Sequence, residues 1–483
     1  MRHKKDKGIA IIIALLTVLI LSTLGAAIIF STQEEITTTY NFKRLTQARY
    51  AAEAGAQSTI NWIIYNYTNP TNYANFDMSK TPVQYMNQPV VLSALSGTSG
   101  NYPDSTLQTA FNTALSNQSV PGLDVGVSYS TTATLQTMQV VTPFGGTTQV
   151  PLQSWLIRSQ ATLGGSQAQV EVTTTIERFG SPVFSYAAFA VSATCNALSF
   201  GGGGGTDSFD STMGTYAATK LNSSGNVGSN GNVSTNGSTT AVNGTAATAP
   251  PYSGNGNCTG GSKTGLTSTN GSTVSGGLLA LSSTVSFAAP AAPSPAPPTT
   301  NQTLNSSADC AGISGCTTIS GSVFALAPGQ YGNLSISAGN TVHLSQGVYN
   351  INSINLSGNS SLIIDSGSVV LNVDGAGLSG GNKAVDLTGG TVSNTANGKP
   401  SDFQIMYAGT AGVSLSGGSG SYGVVYAPNA PISLTGGSDW FGSIIGNTVA
   451  DNGGTTIHYD RSLAGALEII GNYHGTSFGW SKY

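Results

Sequence analysis

Charge is scarce in this chain. Lys and Arg number 16 and Asp and Glu 20, so charged residues make up 7% of 483 positions, against about a quarter in an ordinary soluble domain. The net charge is -4, and the basic surface that neutralises phosphates is missing, which excludes nucleic-acid partners. Four histidines, His3, His343, His458 and His474, are scattered without ligand spacing, so neither metal nor cofactor is expected. Asp365, Asp374 and Asp386 are spread along the chain with Lys383 nearby and form no catalytic pair; no catalytic residue is assigned and the chain reads as a non-enzyme. His458, next to Tyr459-Asp460-Arg461, reads as part of a structural hydrogen-bond cluster. The glycine run at 202–205, followed by Thr206 and Asp207, fits one copy of a calcium-binding nonapeptide; a single copy reads better as a Gly-rich turn. Only four cysteines are present, all beyond residue 194. An even count in an exported segment favours two disulfides among three possible pairings. Cys310 with Cys316 is the first choice, leaving Cys195 with Cys258, and free thiols are the alternative.

What the chain does have is a long apolar run. Residues 9–30 carry no charge and follow the basic stretch Arg2-His3-Lys4-Lys5. As a helix this run is about 33 Å long, enough to cross a bilayer core. The flanking positive charge predicts residues 1–7 on the cytoplasmic side of a membrane, with the remainder exported. Leu24-Gly25-Ala26-Ala27 imitates a signal-peptidase site, but the apolar run continues through Phe30. Beyond it there is no proline and one glycine, Gly55, up to residue 67, and Ala48, Ala51, Ala52, Gly55, Ala56 and Ile60 recur at helical spacing. One helix over residues 9–67 is predicted.

A short basic leader ending in Gly8, an apolar helix directly after it, and Gln47-Ala48-Arg49-Tyr50-Ala51-Ala52-Glu53-Ala54-Gly55 together resemble the N-terminus of type IV pilus minor pilins of the PilX type. The resemblance implies cleavage by prepilin peptidase between Gly8 and Ile9, methylation of Ile9, and an assembly helix with Ile13, Ala51, Ala52, Glu53 and Gly55 among its residues. Ile13 departs from the pattern of major pilins, which carry Glu at that fifth mature position. A subunit without that Glu is poorly suited to repeating along a filament, so the resemblance implies a place at the tip, with other major and minor pilins as partners.

The remainder suggests an α+β chain in four parts: a leader (1–8), a transmembrane and assembly helix (9–67), a small pilin-like body (68–180), and a Gly/Ser/Asn-rich region (181–483) with a proline-rich connector at 289–298. In the body, residues 155–162 and 168–176 alternate around a glycine turn and read as a hairpin. In the last part, Leu334-Ser335-Ile336-Ser337-Ala338-Gly339, Leu356-Ser357-Gly358-Asn359 and Leu434-Thr435-Gly436-Gly437 belong to a repeat of about 20 residues, the signature of a β-solenoid. A β-sandwich with Gly-rich turns is the alternative. Residues 403–463 resemble a poorly characterised C-terminal domain that accompanies PilX-type N-termini, and also resemble β-helices of secreted bacterial proteins. The functional expectation is a minor pilin displaying a β-helical domain for adhesion, with host or surface glycans as ligands and Trp440 among the exposed aromatics. A membrane-anchored adhesin unrelated to pili and a carbohydrate-active β-helix enzyme are the rivals.

Overall fold

A computed structural model describes residues 6–70, 72–124, 126–141, 143–145, 149–163, 169–178, 180–249, 265–378, 381–394, 397–415, 420–466, 468–470 and 473–482. The chain divides into two units: Met1–Val140 with Pro151–Phe179 and Ile470–Tyr483, and Val141–Val150 with Gly180–Ile469.

The first unit begins with α1, Asp6–Asn66, one helix of 61 residues and about 90 Å. No proline interrupts it. Its N-terminal half is apolar and exposed over residues 9–24, and the helix from Ile9 is long and apolar enough to cross a membrane, with a mean hydropathy of 2.7 in its most apolar window. The hydroxyls in this half cost little in lipid, because Thr17, Ser22, Thr23 and Thr32 each donate back to a carbonyl three or four residues earlier in the same helix. Further on, Ala48, Ala51, Ala52, Ala56 and Ile63 form a buried stripe at the three-to-four spacing of one helix face.

That stripe packs against a sheet whose strand order is His474–Lys482, Gln169–Glu177, Val150–Leu163, Val127–Val141, Val91–Ser93. Trp155, Ile157, Val172 and Ile176 supply its inner face and are fully buried, each contributing about 1.5–3 kcal/mol by leaving water. The expected hairpin is present, with Trp155 opposite Ile176 and Thr162 opposite Gln169; its turn lies outside the described residues. A second helix, α2 (Ser105–Leu115), is capped by Asp104, which accepts from the N–H groups of Thr106 and Leu107, and buries Leu107, Phe111 and Leu115. The last strand, His474–Lys482, pairs antiparallel with Gln169–Glu177. Residues 470–483, expected in the last domain, therefore belong to the first unit. Residues 141–150, expected in the body, group with the second, where Phe144 packs edge-on against Phe184 (5.5 Å) and Tyr426 (4.8 Å).

The second unit is an extensive, largely parallel β structure. Gly329 pairs with Tyr349 and Ile336 with Leu356, an offset of 20 residues (349 − 329). Gln404 with Val424 repeats the same offset (424 − 404). A companion sheet stacks Val323–Leu326, Thr341–Leu344, Ser360–Ile364 and Gly390–Ser393, again parallel. Leu, Ile and Val from both sheets fill one core. At Leu356 and Leu434 the Leu-Ser/Thr-Gly repeat marks corners. Leu356 and Leu434 are the last inward residues of their strands, after which Gly358 and Asn359, or Gly436 and Gly437, turn the chain at positive φ.

The order of the rungs does not follow the sequence. The first strands laid down, Ala188–Ala190, Leu198–Phe200 and Gly205–Phe209, end up inside the stack. On one side they pair with Val227–Ser229, Val233–Asn236 and Ala241–Val242, on the other with Trp440–Asp451 and Thr456–Asp460. The chain first builds away from this rung to Leu278–Ala280. It then crosses to the far end at Asn301–Leu304, and builds back until Thr456–Asp460 closes the stack.

The crossing is made by residues 281–300, which lie over successive rungs. Val285 exchanges two hydrogen bonds of 2.8 Å with Asn230, Phe287 meets the Phe189 ring at 5.0 Å, and Ala288 O accepts from the Tyr426 hydroxyl. Pro295 O then accepts from Asn350 and Thr299 O from Asn333. Proline suits this strap because it needs no ladder partner.

Candidate functional site

In the first unit, Gly8 and Ile9 lie in the first turns of α1, with Ile9 and Ile13 both exposed along the apolar half. The second cluster of predicted residues is engaged by the chain itself. Ala51 and Ala52 are fully buried in the core beneath the sheet, so they are packing residues and offer no free surface to another helix. Gly55 is where helix and sheet approach closest: a Cβ there would collide with Ser159 Oγ and the Tyr129 ring. Beside it Thr59 donates to Gly55 O and to Thr131 Oγ1 at 2.9 Å. Glu53 faces outward and pairs with Arg49 at 2.8 Å, and Arg49 also stands over the Trp480 ring at 5.0 Å.

In the second unit the polar residues converge where the late rung meets the first one. His458 and Asp207 face each other in the closing register, and His458 Nδ1 lies 2.5 Å from Asp207 Oδ1 with both side chains almost wholly buried. The other carboxylate oxygen of Asp207 accepts from the Tyr216 hydroxyl at 2.8 Å and pairs with Lys220 Nζ at 3.0 Å. Short helix α3, Tyr216–Thr219, brings those two partners in. His458 Nε2 faces the exposed Asp439 at 3.3 Å, and its ring lies between Tyr216 (4.2 Å) and Phe441 (4.6 Å). Burial alone would raise the Asp207 pKa, but His458, Tyr216 and Lys220 bring it below the ordinary carboxylate value. Burial pulls His458 down, while Asp207 and Asp439 outweigh it and hold the imidazole above its ordinary value.

The cluster expected around His458 thus exists with different members. Asp460 instead binds Ser211 and Ser462, and Arg461 reaches Ser208. Asp207, Tyr216, Lys220 and Asp439 carry no sequence signal as partners of His458, since strand register and the short helix α3 bring them together from distant segments.

The Gly-rich run serves packing between rungs. A Cβ on Gly204 would strike Asp451 Oδ2, and one on Gly205 would strike the Ala241 carbonyl. Asp451 accepts from the N–H groups of Gly453 and Thr455 through one oxygen, while its buried Oδ2 has no hydrogen-bond partner among the described residues. Burial pushes its pKa up to about 6. Trp440, expected on the surface, is 1% exposed, because it opens a strand flanked by rungs on both sides.

Two of the three carboxylates weighed for catalysis make ion pairs: Asp365 with His343 at 2.6 Å and Asp386 with Lys383 at 3.0 Å. Cys310 and Cys316 form a disulfide across the end of α4, Ser307–Ala311. Cys195 is also disulfide-bonded, and Cys258 lies outside the described residues.

Residues 292–466 match a family described as a domain of unknown function (DUF7305). No curated protein matches the chain. Among solved structures, the competence-associated pilin ComZ from Thermus thermophilus aligns over 91% of this chain and 98% of its own at 13% identity, with a TM-score of 0.30. At that score the likeness is too slight to bear on function.

Proposed function

We propose that this chain is a minor pilin of the PilX type, anchored by α1 in the inner membrane, whose second unit is a β-solenoid carried outward on a filament. One observation supports the reading above others: a single unbroken helix is apolar and exposed in its first half and packed into a head by small residues in its second. A helix of that kind serves as a bilayer span before assembly and as a stalk among other pilin helices afterwards. Prepilin peptidase would cut between Gly8 and Ile9, and Ile13 in place of an ionisable residue suits a single position at the tip, where the solenoid could meet host or surface glycans. The role is non-enzymatic.

Mass spectrometry of the mature N-terminus tests this. A methylated chain beginning at Ile9, and unprocessed chain in a strain lacking prepilin peptidase, are expected. A mature chain that keeps Met1 or begins at Ala27 overturns the reading. A membrane-anchored adhesin unconnected with filaments is the second reading, favoured by the burial of Ala51 and Ala52 within the chain's own head. It requires size and display to be the same with and without the peptidase.

A further inference from the structure

The first unit holds a cleft of about 420 Å³ between the end of α1, the start of α2 and the small strands Phe76–Asp77 and Gln84–Tyr85. Its walls combine aromatic rings with side-chain amides. Phe76, Tyr85 and Tyr102 line it together with Asn69, Asn75 and Asp104. The floor is fixed from behind. The Tyr102 hydroxyl donates to that of Tyr67 at 3.0 Å, Tyr67 is held by Gln153 Nε2 at 3.0 Å, and Gln153 Oε1 accepts from Tyr473 at 2.9 Å. The rim is open to a ligand. Asn69 and Asn75 make no side-chain hydrogen bond to another described residue. Asp104, itself exposed, uses Oδ1 to cap α2, and its Oδ2 makes no hydrogen bond to another described residue.

We propose that this cleft binds a neutral saccharide. An amide offers a donor and an acceptor side by side, and the one Asp104 oxygen not used by the cap offers a further acceptor, which matches neighbouring hydroxyls on a sugar ring. The half-buried Tyr85 ring takes the sugar's apolar C–H face, and the volume lies within the range of small-ligand sites. Neutrality follows from charge. Among the described residues no Lys, Arg or His lines the cleft and Asp104 is its one carboxylate, so a uronic acid, sialic acid or phosphate would meet repulsion with no counter-charge. The inference stands whether or not the chain is assembled into a filament.

The test is titration calorimetry and saturation-transfer NMR on the full chain in detergent. The probes are the methyl glycosides of glucose, galactose, mannose and N-acetylglucosamine, glucuronic acid and a proline decapeptide. At least one neutral glycoside is expected to bind saturably. Asn75→Ala should weaken it by roughly three- to tenfold, the loss of about one hydrogen bond. Asp104→Asn keeps a good helix cap, so its fold is retained, and it should weaken the same glycoside while relieving rejection of glucuronic acid. No neutral glycoside binding, binding unchanged in both variants, or binding of the peptide alone would each overturn the proposal.

Discussion

Both units are completed by residues far along the chain, but they are completed differently. In the first, the last described strand, His474–Lys482, adds to the edge of the sheet and leaves Phe478 and Trp480 exposed. In the second, Thr456–Asp460 enters the middle of the stack, buried on both sides, and brings the His458–Asp207 pair with it. An edge strand has one correct neighbour and little to gain from a polar lock. A rung inserted among many similar rungs has several near-equivalent places to go, and a buried His–carboxylate pair disfavours the wrong ones, because a misplaced rung would leave buried polar groups without partners.

The comparison is broken most severely by Asp207→Ala, which leaves His458 and Lys220 without their shared partner. A loss of about 3–5 kcal/mol is expected in chemical denaturation. Its pH dependence sharpens the point. The His458 contribution is complete below the ordinary imidazole value and is lost as pH rises through the raised one; the Asp207 contribution is present above the ordinary carboxylate value and is lost as pH falls through the lowered one. The difference between wild type and variant should therefore be largest between about pH 4 and pH 6.5 and shrink on either side. A flat difference would show that the pair acts as packing alone.

A smaller effect of opposite sign is expected from Asp451→Asn. The folded chain holds this proton more tightly than the unfolded one, so stability falls as pH rises towards about 6 and stays reduced above it. Removing the charge should stabilise by on the order of 1 kcal/mol at pH 8, with no gain at pH 4, as read from thermal melts at the two values. The smallest effect belongs to the edge strand: Trp480→Ala, which removes the stacking of Arg49, should cost about 0.5–1 kcal/mol. A cost matching that of Asp207→Ala would erase the contrast between the two closures.

Local order was legible in the sequence and long-range order was not. The continuity of α1 follows from the absence of proline, and the corners after Leu356 and Leu434 follow from the Gly and Asn found there, since those residues take positive φ at little cost. Helix α2 was missed although Asp104 followed by Leu107, Phe111 and Leu115 is a cap and an apolar stripe at helical spacing. The place of residues 188–209 inside the stack has no local signal, because their partners lie up to 256 positions away (444 − 188). Trp440 was misplaced for the same reason: its burial comes from the rungs on either side of it and not from its own segment. Around His458 the sequence offered adjacent Asp460 and Arg461, while the partners that matter arrive from strand register.

The strap over residues 281–300 behaves as a measuring tape. It is tied at Asn230, Tyr426, Asn350 and Asn333, so its span is matched to the number of rungs beneath it. Each additional rung would lengthen the path by about 4.8 Å, more than one further residue of extended polyproline supplies at 3.1 Å. Duplicating a 20-residue repeat between those ties would leave the tape short, and descendants of this chain can grow there only by lengthening both together.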